Sequence, residues 1–347
     1  MSKIYLDSYF SELLFGFEHV AIHNYCQFNQ TNWIKTLPYE CDIVGISFYT
    51  NRYREYVDLI LEILPRTQKL VINLSEPTHA DILKFVNDLV HPKIVFYSDI
   101  VVNEPTNVKT NISWFIGPTN HYQKQNWAKE ILNRIRIPRS WEPRPYVYDC
   151  LLGTQKPNRD MIKQLYDDCS FKNKFIFSYY KNNLEHGLWD HNEDFLHQVS
   201  EWQSITVSRY AVLPYKIYNQ SYLSIVAETT ADNRYSQFTE KIAKPILARR
   251  PFVVFCGQHY LRNLRQLGFK TFGDVVDQDG NLVIDESYDT IYLNQHRWTA
   301  AWNQVKKLHD RNFDLVHAQL QHILDHNLNH FLTTNWQAGI TKEFFPD

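Results

Sequence analysis

The chain has 347 residues, 44% hydrophobic and 21% charged, with a net charge of −2 and a pI near 6.7. That length exceeds one comfortable core and points to two domains, and the charge balance gives no overall attraction for nucleic acid beyond what a local basic face would supply. No run approaches the ~20 apolar residues that span a bilayer, and the start MSKIYLDSYF lacks a basic, apolar signal pattern, so a cytoplasmic protein with no membrane span is expected. The five cysteines are odd in number and include no CxxC pair, which suits reduced thiols rather than a disulfide framework. With 22 Tyr, 21 Phe and 9 Trp the chain is rich in rings, most of which are expected in the core.

In chain order, residues 3–6 read as a short strand followed by an aromatic loop, with a polar segment over residues 25–33. CDIVGISFY (41–49) is a second strand. Val57, Ile60, Leu61 and Leu64 have helical spacing, and Pro65 closes that helix. KLVINL (69–74) is a third strand, residues 80–90 a second amphipathic helix, and residues 94–97 a further strand. Alternating strands and helices predict a doubly wound parallel sheet. The third strand runs into Ser75-Glu76-Pro77-Thr78-His79, where a carboxylate just past a strand's end faces the crevice of such a sheet. As plain structure, Glu76 would cap a helix starting near Thr78, and His79 would be a solvated loop histidine. The proline-rich RIRIPRSWEPRP (134–145) reads as a semi-rigid connection, giving domains over 1–140 and 146–325, with a tail 326–347 that crosses back to the first domain.

The second domain opens with a strand over 146–152, a turn from Gly153 through Lys156 and Arg159, and a helix over 160–167. Strand, glycine turn and basic helix start come in the order a phosphate site needs. As plain structure, Lys156 and Arg159 would sit on a surface helix start. KFIFSYY (174–180) is a strand, and the loop 182–193 holds His186, Trp189, Asp190 and His191 without a metal-ligand spacing. Residues 223–227 form a buried strand, Thr239-Glu240-Lys241 opens a helix, and residues 252–256 form a strand ending at Gly257. The polar residues crowd where the first strand ends and the helix begins. Asp277-Gln278-Asp279-Gly280 resembles a diphosphate-metal DxD, but Asp-Gly between apolar runs signals a turn. Residues 261–267 and 301–324 read as helices, the latter with Trp302, Val305, Leu308, Phe313, Val316, Leu320, Ile323 and Leu324 as a stripe. His322 and His326 stand i, i+4 apart without a third ligand. Neither GxGxxG nor GxxxxGK[ST] occurs.

Glu228-Thr229-Thr230, Phe238-Thr239-Glu240-Lys241, Lys244-Pro245-Ile246-Leu247 and Pro251-Phe252-Val253-Val254 together resemble the donor-binding signature of the family 10, fucosyltransferase-like glycosyltransferases. There a segment close to FENS precedes a TEK helix and a proline-led apolar strand. Here Ala-Glu-Thr-Thr stands in place of FENS, and Arg249-Arg250 in place of small residues. The resemblance covers about residues 151–260, and the first domain only through Glu76 and strand order. It implies an α/β fold of GT-B type, two Rossmann-like domains facing across a cleft, and an inverting transfer from a UDP- or GDP-linked sugar without an essential metal. It also implies residue roles: Glu76 as general base beside the acceptor, Arg159 and Lys241 on the diphosphate, Glu240 on the ribose, and Glu228 and Lys156 in the donor site. A glycan acceptor follows from the family. The short, glycine-poor chain also looks like enzymes of phage or bacterial origin, some of which modify hydroxymethylated DNA bases. For such an acceptor Arg52, Arg54, Arg134, Arg136, Arg139 and Arg144 would line a groove, or else serve as ordinary surface charges. The remaining alternative is a non-catalytic carbohydrate-binding protein on the same fold.

Overall fold

The computed structural model describes residues 4–7, 25–28, 41–49, 53–75, 86–103, 107–110, 132–138, 142–153, 155–179 and 213–345. Glu76, the loop 182–193, Arg52 and Arg139 lie outside these residues. The chain divides into two compact units, residues 1–113 with 335–347, and residues 114–334. Both are α/β and are built on parallel sheets.

The first unit carries β1 (Ile4–Asp7), β2 (Tyr25–Phe28), β3 (Cys41–Tyr49), α1 (Tyr53–Ile63), β4 (Thr67–Ser75), β5 (Ile94–Ser98) and β6 (Lys109–Thr110). The strands pair in the order β2-β1-β3-β4-β5-β6, every pair parallel. Leu70, Val71, Ile72 and Leu74 of β4 are all buried, the continuous apolar run of a strand covered on both faces. The expected polar segment at 25–33 contains the edge strand β2, which pairs in parallel with β1. Helix α1 turns Ile60 and Ile63 inward while Leu61 is exposed.

The second unit opens with β7 (Tyr148–Leu152) and α2 (Pro157–Asp167), then β8 (Phe175–Tyr179), α3 (Tyr215–Tyr218) and β9 (Leu223–Ala227). It continues with α4 (Glu240–Leu247), β10 (Phe252–Phe255), α5 (Tyr260–Gln266), α6 (Asn294–Leu308) and α7 (Phe313–Thr333). Its sheet has the order β10-β9-β7-β8, again all parallel. Taken by position in each unit, both sheets follow the Rossmann-like order 2-1-3-4. Between β7 and β9 the chain changes direction across the sheet. Outside the carboxyl ends of those two strands lies the crevice in which open α/β sheets bind ligands.

Helix α2 starts at Pro157, three residues before the expected start, because a proline's fixed φ suits the first helical position and its missing N–H is not needed there. The expected helix 301–324 is two helices. The Asn312 side chain accepts from the Asp314 and Leu315 amides (3.0 and 3.4 Å) and starts α7 afresh. The stripe from Trp302 to Leu324 is nevertheless buried along its length. Trp302 lies between Phe175 and Phe255, with ring centroids 5.8 and 6.4 Å away, so these aromatics are core.

The division between units falls at 113/114 rather than in the proline-rich stretch. That stretch is held within the second unit. Asn219 donates to the Arg134 carbonyl (2.8 Å) and accepts from the Arg136 amide (2.9 Å), and Arg144 donates to the carbonyls of Tyr218 (2.8 Å) and Ser221 (2.5 Å). Helix α7 keeps residues 326–333 in the second unit. The last helix, α8 (Ala338–Phe344), belongs to the first, where Ile340 and Phe344 join Leu6, Ile43, Val71 and Tyr97 in one core. A Cβ on Gly45 would stand 2.8 Å from the Phe344 ring, so only glycine lets that ring lie on β3. Buried Glu343 binds Lys69 (2.5 Å), Lys109 and the Tyr97 hydroxyl (2.9 Å), and fastens α8 to this sheet.

Candidate functional site

Gly153 follows β7, Glu228 follows β9, and Cys256-Gly257 follows β10, so three loops meet at one edge of the second unit's sheet. Asn158, in the first turn of α2, is buried and donates to the carbonyls of Glu228 (3.1 Å) and Phe255 (2.9 Å). It thereby ties the start of α2 to the ends of β9 and β10. Arg159 is the next residue. Its guanidinium reaches back over the turn, with Nη1 3.7 Å from where a Gly153 Cβ would be. The side chain is buried, and burial lowers its pKa against the opposing fields of Glu228 and Glu240.

Helix α4 begins after Thr239, whose hydroxyl accepts from the Lys241 amide (3.3 Å) as an N-cap. Glu240 and Lys241 are half-buried and form an ion pair at 2.6 Å. Burial pushes the Glu240 carboxyl up, but the Lys241 ammonium, aided by Lys244, outweighs it and holds the group below its usual range. Lys244, half-buried one turn on, has its pKa pushed down to about 8, by burial first and by Lys241 as well, against the pull of Glu240. Glu228 is completely buried, and burial raises its pKa while Lys241, Thr239 and Tyr260 oppose the rise.

Arg159, Glu228, Glu240 and Lys241, drawn from segments some 80 residues apart, thus share one electrostatic neighbourhood. Lys156 occupies the N-cap position of α2 and offers its carbonyl to the amides of Arg159 and Asp160 (3.0 and 2.9 Å). Among the described residues its side chain makes no hydrogen bond or ion pair with the other four. Glu76 lies outside the described residues, directly after β4, which ends at Ser75.

No motif in the sequence marks Asn158, Tyr260 or Arg297. Buried Arg297 donates to the Cys256 carbonyl from Nε (3.1 Å) and Nη2 (3.0 Å), to the Tyr292 carbonyl (3.2 Å) and to Asn233 Oδ1 (2.8 Å). It binds the loops after β9 and β10 to residues 291–292. Gly257 is needed because a Cβ there would lie 1.9 Å from the Asp232 carbonyl oxygen.

The other candidates among the described residues make contacts within the unit. The Asp277 carboxylate accepts from the amides of Asp279 (3.0 Å) and Asn281 (2.9 Å) and pairs with Arg311 (2.6 Å) in a turn closed by the Val276 and Leu282 bridge. Ring nitrogens of His326 and His330 meet the carbonyls of Gly268 (3.1 Å) and Leu267 (2.7 Å), just past the end of α5. Among the described residues no group of three or more His, Cys, Asp or Glu stands close enough to hold a metal ion. Arg134 donates to the Tyr215 hydroxyl (3.3 Å), Arg136 pairs with Glu142, and Arg144 serves backbone carbonyls, so these three are engaged within the unit. Cys150, Cys169 and Cys256 are buried free thiols. Among the described residues no helix is long and apolar enough to cross a membrane.

Compared with known protein families, curated proteins and solved structures, the chain matches none.

Proposed function

We propose that this chain is an inverting glycosyltransferase of GT-B type that moves a sugar from a UDP- or GDP-linked donor to a hydroxyl of a glycan acceptor. The observation that carries the reading is the meeting of Arg159, Glu240 and Lys241 at the switch point of the second unit's parallel sheet, beside a helix start. The chemistry fits those groups. A departing nucleoside diphosphate carries charge that a guanidinium, an ammonium and helix N–H groups neutralise. A carboxylate such as Glu240 accepts hydrogen bonds from ribose hydroxyls. The acceptor hydroxyl must lose a proton as it attacks the anomeric carbon, and a carboxylate base serves that step. Glu76, immediately past the carboxyl end of β4, is the residue assigned to it.

Calorimetric titration with UDP and GDP is the test. Wild-type protein is expected to bind one of them, and Lys241→Ala to bind it about tenfold more weakly, about 1.4 kcal/mol, through loss of a charge-assisted contact to phosphate. Failure of the wild type to bind either nucleotide would overturn the assignment.

A further inference from the structure

Glu228 stands in the donor signature, yet no ligand reaches it in this geometry. It is fully buried, and both carboxylate oxygens are engaged by the protein itself. One oxygen accepts from the Tyr260 hydroxyl (2.7 Å) and the Thr239 amide (3.3 Å). The other accepts from the Thr239 hydroxyl (2.6 Å) and the Thr229 amide (3.3 Å).

These bonds have a direction. Because the Thr239 hydroxyl gives its proton to Glu228, its lone pairs are left to accept from the Lys241 amide, the role an N-cap requires. The carboxylate therefore decides which way the cap points, and in a dry site each bond in the series from Lys241 through Thr239 to Glu228 polarises the next. The segment before the helix is held from the side as well. Asn263 donates to the Ser236 hydroxyl (2.9 Å), and the Phe238 and Tyr260 rings lie 4.7 Å apart. Residues 236–239 are thus clamped between the end of β9 and α5, and the first turn of α4, bearing Glu240 and Lys241, follows from that clamp.

We infer that Glu228 is a positioning residue, which fixes the first turn of α4 on the strand end and so orients Glu240 and Lys241 toward the donor. The part concerning the donor rests on the function proposed above. A substitution to Gln sharpens the point. Whichever way the amide is turned, its NH2 faces a backbone N–H, of Thr239 or of Thr229, and unlike a hydroxyl an N–H cannot rotate away.

The experiment has two arms on the full chain. In the first, GDP and UDP are titrated into wild type, Glu228→Gln, Thr239→Val and Glu228→Gln/Thr239→Val. Either single change is expected to weaken binding about tenfold, and the double no more than about twofold beyond the worse single, because both break one series of bonds. Arg250→Met, destabilised at the opposite edge of the sheet, is the control and is expected to bind as wild type does at a temperature where it is folded. Equal weakening in the control would reduce Glu228 to a general stability residue and overturn the proposal, as would undiminished affinity in Glu228→Gln. In the second arm, amide hydrogen exchange of Glu228→Gln is expected to quicken about tenfold at Thr239 and Lys241 and far less at Ile246 and Leu247 in the last turn of α4. Uniform acceleration, or none, would overturn the clamp. Should wild type bind neither nucleotide, the functional reading fails, and the exchange arm still decides whether Glu228 orders this turn.

Discussion

Arg250 makes its bonds at the amino edge of the second unit's sheet, far along β7 and β10 from the candidate site. It is buried and donates to the Asp149 carboxylate, to Ser224 Oγ (3.1 Å), to Ser221 Oγ (2.8 Å) and to the carbonyls of Tyr218 and Ser221 (both 2.7 Å). Its guanidinium also lies 4.5 Å from the centre of the Tyr218 ring. Removing one partner of a buried pair costs about 3–5 kcal/mol, because the other charge stays buried without a counter-ion. For Arg250→Met the lower end is expected, about 3 kcal/mol. Arg144 already donates to the same two carbonyls, and its own pKa is lowered to about 10, by burial first and then by Arg250, a repulsion the substitution relieves. Asp149→Leu is expected to cost more, about 4–5 kcal/mol, since Arg144 and Arg250 then face each other with no carboxylate between them. The double variant Asp149→Leu/Arg250→Met, which buries no charge from the pair, is expected to lose only about 1–2 kcal/mol, so the coupling is several kcal/mol. Urea denaturation followed by circular dichroism measures all four proteins. Additive losses, or an Arg250→Met variant within about 1 kcal/mol of wild type, would refute the claim that this pair is a single buried unit.

Buried His317 approaches the Arg249 carbonyl (3.3 Å), and its pKa is lowered to about 4, by burial first and then by Arg144, Arg250 and Arg249 against that backbone bond. Its folded value lies below the ordinary 6.5, so its stability contribution is complete above pH 6.5 and is lost as pH falls toward 4. His317→Gln should flatten that acid limb by about 2–3 kcal/mol, and a melting profile of unchanged pH dependence would count against it. Gly257→Ala should lower stability by about 2 kcal/mol or more, since a backbone carbonyl must move to admit the methyl group; an unshifted melting temperature would contradict the close approach of residues 232 and 257. Burial raises the Cys150 and Cys256 thiols well above their ordinary pKa, so mass spectrometry after treatment with a thiol reagent should find both unmodified until the protein unfolds. Reducing agents should leave the melting temperature unchanged, and a large drop would reveal a disulfide among the other cysteines.

Much of this architecture was legible because its signals are local. The apolar runs of β3, β4, β9 and β10 need cover on both faces wherever they lie, and that need alone dictates parallel strands with helices between them. Thr239-Glu240-Lys241 declares a helix start through a hydroxyl placed to cap it. Features made by residues far apart in the chain left no such mark. The carboxylate of Glu228 is sealed by Tyr260, 32 positions on, and nothing in either neighbourhood indicates that the two meet. The start of α2 at Pro157 is masked in the sequence because Asn158 and Arg159 look like the polar start of a surface helix, whereas both are buried. The prolines of residues 138–145 signal stiffness, not separation, and it is the capture of Arg134, Arg136 and Arg144 by α3 and the residues after it that keeps the stretch within one unit.

The two edges of the second unit's sheet hold cations in different ways, and the difference bears on where the proposed donor would bind. At the amino edge Arg250 and Arg144 spend their donors on carbonyls and on Asp149. An incoming phosphate there would have to replace several buried bonds, each exposing a backbone carbonyl without a partner. At the carboxyl edge the Lys241 ammonium is held by Glu240, the residue beside it, in a pair that keeps about a fifth to a third of each side chain in solvent (19% and 30%). A pair partly open to water is held less firmly than the fully buried one between Arg250 and Asp149. Under the proposed function a diphosphate would draw the ammonium from Glu240 and leave that carboxylate to accept from a hydroxyl of the same ligand. Lys241 is therefore the cation that the proposed donor could claim with few backbone bonds lost, whereas Arg250 and Arg144 at the amino edge tie the strands together through buried carbonyls.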